Sequence, residues 1–289
     1  MRRLLPPVLL ALAAVLITHL PLTRHLDLKL LDMQFRFLRD YFPRDISRDV
    51  VIIGVNDDTF AAFPEPQALW HKHFGRLFQV LAGARPAAVG VDFVLPDRSV
   101  NSIMPGADQA LLAGILALRK VAPVVLGITV DPDGKLKRIY PPFVSVAGPD
   151  STGYALWATD PDGLVRRYDE HFAERGGFVP TLAGTLARRL GVEPREGLID
   201  YSVGKSFEYV PLHQVLEWAG RGEASRIGAL LEGKTVLIGT VQPFVDQIAV
   251  PLNLSSSEFP AGQTPGVLVH AQALRGFLND RIMLARDEN

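Results

Sequence analysis

Residues 50–60, VVIIGVNDDTF, and residues 83–97, GARPAAVGVDFVLPD, decide the fold. From Val50 to Val55 the first stretch is an unbroken apolar run rich in β-branched side chains, which suits a strand covered on both faces. It ends in Asn56-Asp57-Asp58-Thr59. Between the two stretches Trp70, Phe74, Leu77, Phe78 and Leu81 recur at helical spacing, and Gly83 and Pro86 stop the pattern. Residues 87–94, AAVGVDFV, then read as a second strand leading to Pro96. Strand, helix and strand in that order imply a right-handed crossover and a parallel pair. The pattern repeats, with a helix over residues 108–118 and a third buried strand over residues 122–130, APVVLGITV. The first half of the chain therefore reads as a small doubly wound α/β layer.

The middle changes character. Residues 153–159 and 164–168 read as short strands flanking Asp160-Pro161-Asp162-Gly163, and Asp-Gly between such runs predicts a β-hairpin. A helix over 178–190 has Pro180 in its first turn and Gly191 just past its end. Short helices over 212–219 and 223–231 deliver the chain to residues 234–240, KTVLIGT, another buried strand. A last helix over 265–278 sets Val267, Ala271, Leu274 and Leu278 on one face. Residues 95–106 and 253–264, with their Pro, Ser and Gly, read as loops.

At the N-terminus Arg2 and Arg3 precede residues 4–22, LLPPVLLALAAVLITHLPL, which hold no Asp, Glu, Lys or Arg. As a helix this run would span about 28 Å, close to the ~30 Å hydrocarbon core of a bilayer. No small-x-small site closes it, so it predicts an uncleaved anchor over residues 1–23 rather than a signal peptide. With the basic pair held inside, the rest of the chain would be exported, giving a single span in the inner membrane and a periplasmic or extracellular body. Residues 24–48 mix Leu26, Leu30, Leu31, Phe35 and Leu38 with Asp27, Lys29, Asp32, Arg36 and Arg39, and predict an amphipathic juxtamembrane helix ended near Pro43. Residues 49–283 are the expected body. The whole is an α/β chain: an N-terminal transmembrane helix, then a mixed, largely parallel sheet with helices on both faces and a β-hairpin insertion.

Composition narrows the function. The 289 residues are 48% hydrophobic, enough for a sizeable core, and 30 Lys plus Arg balance 31 Asp plus Glu. A formal charge of -1 and no long basic run give no footprint for a phosphate backbone, so nucleic acid is not an expected partner. The absence of cysteine excludes disulfides, thiolate nucleophiles and Cys-based metal sites.

Taken in order, Asp32-Met33-Gln34-Phe35-Arg36, VVIIGVNDDTF, GARPAAVGVDFVLPD, DPDGLVRR (160–167), GKTVLIGTVQPFVDQIAVPL (233–252) and TPGVLVHAQALRGFL (264–278) resemble the CHASE2 sensor domain. The resemblance runs from about residue 27 to residue 280 and rests on the order and spacing of the blocks. It implies an extracytoplasmic sensory input domain of a bacterial transmembrane receptor, answering an unknown small-molecule or stress signal. It also implies a C-terminal cytoplasmic output module beyond residue 289, such as an adenylate cyclase, histidine kinase or Ser/Thr kinase. A homodimer is expected, with no cofactor and no catalysis by this region itself. Leu69-Trp70-His71-Lys72-His73 departs from the family, which tends to carry Arg after the Trp.

Acidic residues collect where the strands end: Asp57 and Asp58 after the first, Asp92 and Asp97 at and after the second, Asp246 after residues 237–239. That edge is where open α/β sheets bind ligands. Asp57, Asp58, Asp92 and Asp246, with His270 and Arg166, are the candidate ligand-binding residues, and two readings of them stay open. In one they form a polar cleft; in the other Asp57 and Asp58 cap a helix, Asp92 pairs with a buried cation and Asp246 fixes a loop. Arg166 and Arg167 could pair with acids across the sheet or hold an anion. His270, beside an apolar stripe, suits a satisfied core residue as well as a ligand, and His71 and His73 point apart and make a poor metal pair. A phosphatase of the haloacid dehalogenase type needs Asp where this chain has Asn56, and an amide cannot form the acyl phosphate. The alternative function is an anchored, exported hydrolase that uses Asp57, Asp92, Asp246 and His270 around a divalent metal.

Overall fold

The computed structural model describes residues 21–131, 133, 135–171, 180–255 and 262–281. Helix α1 (Pro21–Tyr41) precedes strand β1 (Val50–Val55). Helix α2 (Asp57–Ala62), a 3-10 turn (Gln67–Leu69) and α3 (His71–Ala84) lead to β2 (Ala88–Asp92), α4 (Ala107–Arg119) to β3 (Val124–Ile128), and α5 (Pro141–Ala147) to β4 (Thr152–Tyr154). The chain continues through β5 (Arg167–Tyr168), α6 (Leu182–Arg189) and β6 (Gly197–Leu198) to β7 (Tyr209–Pro211). Then come α7 (Leu212–Gly220), α8 (Ala224–Leu231), β8 (Thr235–Thr240), β9 (Gln247–Ala249), β10 (Gln263–Pro265) and α9 (Gly266–Leu278).

Six strands form one sheet in the order β4-β3-β2-β8-β1-β7, and each neighbouring pair is parallel. β5 with β6, and β9 with β10, make separate antiparallel pairs. The period-2 alternation of the strands sorts their side chains into two cores. Ile53, Val55, Val89, Val91, Val124, Leu126, Val236 and Ile238 pack on one face with α3, α4, α5, α7 and α8. On the other face Val50, Ile52, Ala88, Val125 and Leu237 pack with Phe35 of α1 and with α6 and α9. Topology explains the split. Steps β1 to β2, β2 to β3, β3 to β4 and β7 to β8 all move one way across the sheet and share a face. The return from β4 to β7 runs the other way and carries α6 on the opposite face, as one crossover hand requires.

Glycines set how closely the second layer sits. A Cβ on Gly239 would stand 2.5 Å from Val267 Cβ of α9, and one on Gly153 would stand 2.5 Å from Leu182 Cα of α6. Both helices therefore lie almost on the sheet backbone. Every residue of α9 is buried, because the segment 200–207 covers its outer side. Gln272 and Arg275 are spent there. Gln272 donates to the Asp200 and Val203 carbonyls at 2.6 and 3.1 Å, while Arg275 bonds Asp49 at 2.8 Å and stacks 3.6 Å above the Phe207 ring.

Three expectations change. The anchor run falls, but for its last two residues, outside the described residues, and among those described no helix is long and apolar enough to cross a membrane. Helix α1 carries Asp27, Lys29, Asp32, Arg36, Arg39 and Asp40, too many charges for a hydrocarbon core. The N-terminal transmembrane helix, and the single-span inner-membrane localisation built on it, are corrected accordingly. The hairpin is a second correction. Asp160 and Leu164 close a turn through Asp160 N–H to Leu164 O at 2.8 Å, but the flanks pair elsewhere, β4 with β3 and β5 with β6. The aspartates of that turn accept from Arg166, at 3.0 Å for Asp160 and 2.8 Å for Asp162. Third, the helix expected over 178–190 starts at Leu182, where the Thr181 side chain accepts from Gly184 N–H at 2.9 Å; residues 172–179 lie outside the described residues.

Candidate functional site

Asp92 is the last residue of β2, and the strand's alternation turns it toward the face covered by α9. There its Oδ1 lies 3.9 Å from Nε2 of His270, on the second turn of α9; the Asp92 side chain is 5% exposed and that of His270 is fully buried. The indole of Trp157 packs on the imidazole, with ring centroids 4.6 Å apart. Asp92 Oδ2, Trp157 Nε1 and both His270 ring nitrogens are buried without a hydrogen-bond partner among the described residues. Such groups are rare in native cores.

Asp246 approaches the same end of α9. Its backbone is left-handed at φ 52°, a conformation Asp tolerates, and this turns the carboxylate over Gly266, where a Cβ would stand 2.6 Å from Oδ2. Although the residue reaches the surface, its carboxyl loses solvent and is pushed up to about 6. Burial raises Asp92 well above the usual carboxylate range, and the charge of Asp246 adds to this. Burial also drives His270 down to about 4, against a weaker opposing pull from the Ala155 backbone. Burial thus disfavours the charged form of both groups, and the imidazole is neutral at neutral pH, with one ring nitrogen to donate and one to accept a hydrogen bond.

The other candidates stand apart. Asn56, not Asp57 or Asp58, caps α2, its Oδ1 accepting from Thr59 N–H at 3.0 Å. Asp57 is exposed and accepts from Gln242, and Asp58 is exposed and accepts from Asn56. Among the described residues, the group that brings three ligand atoms within 4.8 Å is Asp169, His171 and Glu196, on the half-buried to exposed surface. Asp57, Asp92, Asp246 and His270 do not converge in that way.

Arg166 has a different role from the rest. Its side chain is 1% exposed and binds three carboxylates. Asp32 of α1 accepts from Nε and Nη2 at 2.7 and 2.9 Å, Asp162 from Nη1 and Nη2 at 2.8 Å each, and Asp160 from Nη1 at 3.0 Å. Burial alone would lower its pKa; the bonds to Asp32, Asp162 and Asp160 outweigh that and raise it. A guanidinium so occupied has no N–H left for an anionic ligand. Its work is to tie α1 to the body, helped by Arg36 to the Pro251 carbonyl and Arg39 to the Asn253 carbonyl.

Sequence reading passed over Asp32, Asp160 and Trp157. Asp160 and Asp162 precede Arg166 by six and four residues and could have been paired with it; Asp32, 134 residues away, could not. The same gap hid the second face of α1. Phe35 and Leu31 pack into the body, while Leu26, Leu30, Met33 and Phe37 are 50 to 63% exposed. At 100° per residue these four fall within an arc of about 60°, and the signal was their 4-3-4 spacing.

Comparisons with curated proteins and with solved structures find no match. The CHASE2 domain model, in contrast, matches residues 8–288, nearly the whole chain, so this protein belongs to the CHASE2 domain family of non-catalytic sensor modules.

Proposed function

We propose that the chain is the sensory input module of a signalling receptor, that two copies pair along α1, and that the module regulates a C-terminal output such as an adenylate cyclase or a kinase. The observation that carries this reading is the double character of α1. One face is clamped to the body by Arg166 and Phe35; the other presents Leu26, Leu30, Met33 and Phe37 at the spacing of a two-stranded coiled coil. A helix held between its own body and a second copy converts a shift within the body into a shift between copies.

The two ends of the body also meet. Asn279, just after α9, accepts from the N–H groups of Ser47 and Arg48 at 2.9 and 3.2 Å and donates to the Arg48 carbonyl at 2.7 Å. Arg275 of α9 bonds Asp49 next to them. What moves α9, and with it the Asp92–His270 pair, therefore moves the segment that follows α1.

In the intact gene product, Leu30→Glu with Met33→Glu should leave the body folded, lower the molar mass in solution to that of one copy, and abolish control of the output. A regulated output from a single-copy species would overturn the reading.

A further inference from the structure

A cavity of about 420 Å³ lies away from the Asp92–His270 pair, between the start of α3, the segment after β2 and the loop after β3. This is the carboxyl edge of the sheet, where an open α/β fold receives ligands. Phe74, Phe93 and Leu95 give it apolar walls, and the Phe74 and Phe93 rings lie 5.5 Å apart at a tilt, a setting for a third flat ring. His71 shares the lining and is 2% exposed. Neither of its ring nitrogens has a hydrogen-bond partner among the described residues. Burial lowers its pKa, opposed more weakly by Asp108, which favours the neutral ring with one donor and one acceptor.

Charge at the cavity is one-sided. Exposed Lys137 and Arg138 line it, and neither forms an ion pair among the described residues. Asp97 also lines it, but Arg98 takes that charge at 3.1 Å, and Lys137 is only a minor influence on Asp97. The volume is at the small end of ligand sites.

We propose that this cavity binds a small aromatic carboxylate that carries a hydroxyl group. The ring lies against Phe74, Phe93 and Leu95, the carboxylate faces Lys137 and Arg138, and the hydroxyl meets His71. The proposal gives the sensory module a ligand class and rests on the sensory reading only for the consequence of binding.

The test is calorimetric titration of the full 289-residue chain with 4-hydroxybenzoate, benzoate and 4-hydroxybenzamide. 4-Hydroxybenzoate should bind at least about tenfold more tightly than the amide, one charge-assisted hydrogen bond's worth of discrimination. Lys137→Glu with Arg138→Glu, both exposed, should weaken it by about tenfold or more. His71→Phe should erase the preference over benzoate while keeping the preference for carboxylate over amide. If His71→Phe fails to fold, the surface pair decides alone. No saturable binding up to about 10 mM, an amide as tight as the acid, or indifference to the charge reversal would each overturn the site. Binding that leaves the output of the intact gene product unchanged would support the site and count against the sensory reading instead.

Discussion

Asp32→Asn isolates the contact that holds α1 to the body. Both oxygens of Asp32 accept from Arg166, at 2.7 and 2.9 Å. Asparagine keeps the shape and one acceptor but turns an amide N–H group toward a guanidinium N–H, so one of the two bonds becomes donor against donor. A hydrogen bond to a charged group contributes about 1.5–3 kcal/mol, and the remaining bond weakens as the carboxylate charge goes, which puts the loss at about 2–3 kcal/mol. Arg166 remains paired with Asp160 and Asp162, so the body escapes the 3–5 kcal/mol or so of a stranded buried ion. The loss should therefore fall on α1 alone. At about 1.4 kcal/mol per factor of ten, amide exchange over residues 26–40 should speed up about 25- to 150-fold, while β1, β2 and β8 keep their protection. Hydrogen–deuterium exchange followed by mass spectrometry on the two proteins reads this directly. The companion Arg166→Leu leaves three carboxylates facing one another and should cost the whole domain about 3–5 kcal/mol in urea. Unchanged protection of α1 in Asp32→Asn, or a loss spread evenly through the sheet, would refute the reasoning.

Gly239→Ala sets a Cβ 2.5 Å from the branched Val267 Cβ and should destabilise by about 1–3 kcal/mol, whereas Gly90→Ala meets the Leu186 and Leu237 tips at 2.6 Å, which can turn aside, and should cost less; urea midpoints compare them. For His270, down at about 4 in the fold against about 6.5 unfolded, the unfolded chain takes up a proton that the folded chain refuses, so this group removes stability as pH falls from 6.5 to 4. His270→Gln should accordingly gain on the wild type by about 3 kcal/mol across that window, and parallel pH curves for the two proteins would contradict the burial of a neutral imidazole. Asp92 has the opposite sign: its raised carboxyl keeps its proton to higher pH in the fold than in the unfolded chain, so its contribution to stability falls as pH rises above the unfolded value near 4. Asp92→Asn should thus gain on the wild type as the pH rises, checked by the same titration of unfolding free energy.

The interior of the sheet could be read from the chain because β1, β2, β3 and β8 are continuous apolar runs, and only a strand buried on both faces needs such a run. The short strands are legible only in part. β4, Thr152–Tyr154, overlaps the strand expected over residues 153–159, but its pairing with β3 has no local signal, and β7, the three residues Tyr209–Pro211, has no periodicity of its own. Asp160 to Gly163 does make its turn, but a local rule for Asp-Gly takes no account of an arginine three residues on that claims both aspartates. At the candidate site, strand ends located Asp92 and Asp246, and helical spacing placed His270 on α9. That Asp92 and His270 meet, and that Asp57 and Asp58 stay outside, depends on β8 lying between β1 and β2, which no stretch of sequence records. His71 reads in the sequence only as half of a poor metal pair with His73; that its ring nitrogens are buried without a hydrogen-bond partner among the described residues is set by the packing around it.

The most direct test measures output, in the intact gene product, for the wild type, Asp32→Asn and Arg221→Ala, an exposed change just after α7 that touches neither α1 nor the cavity. If α1 transmits the state of the body, Asp32→Asn shifts the basal output and blunts its regulation while Arg221→Ala behaves as wild type. An output identical in all three, with α1 shown by exchange to be loosened, would contradict it.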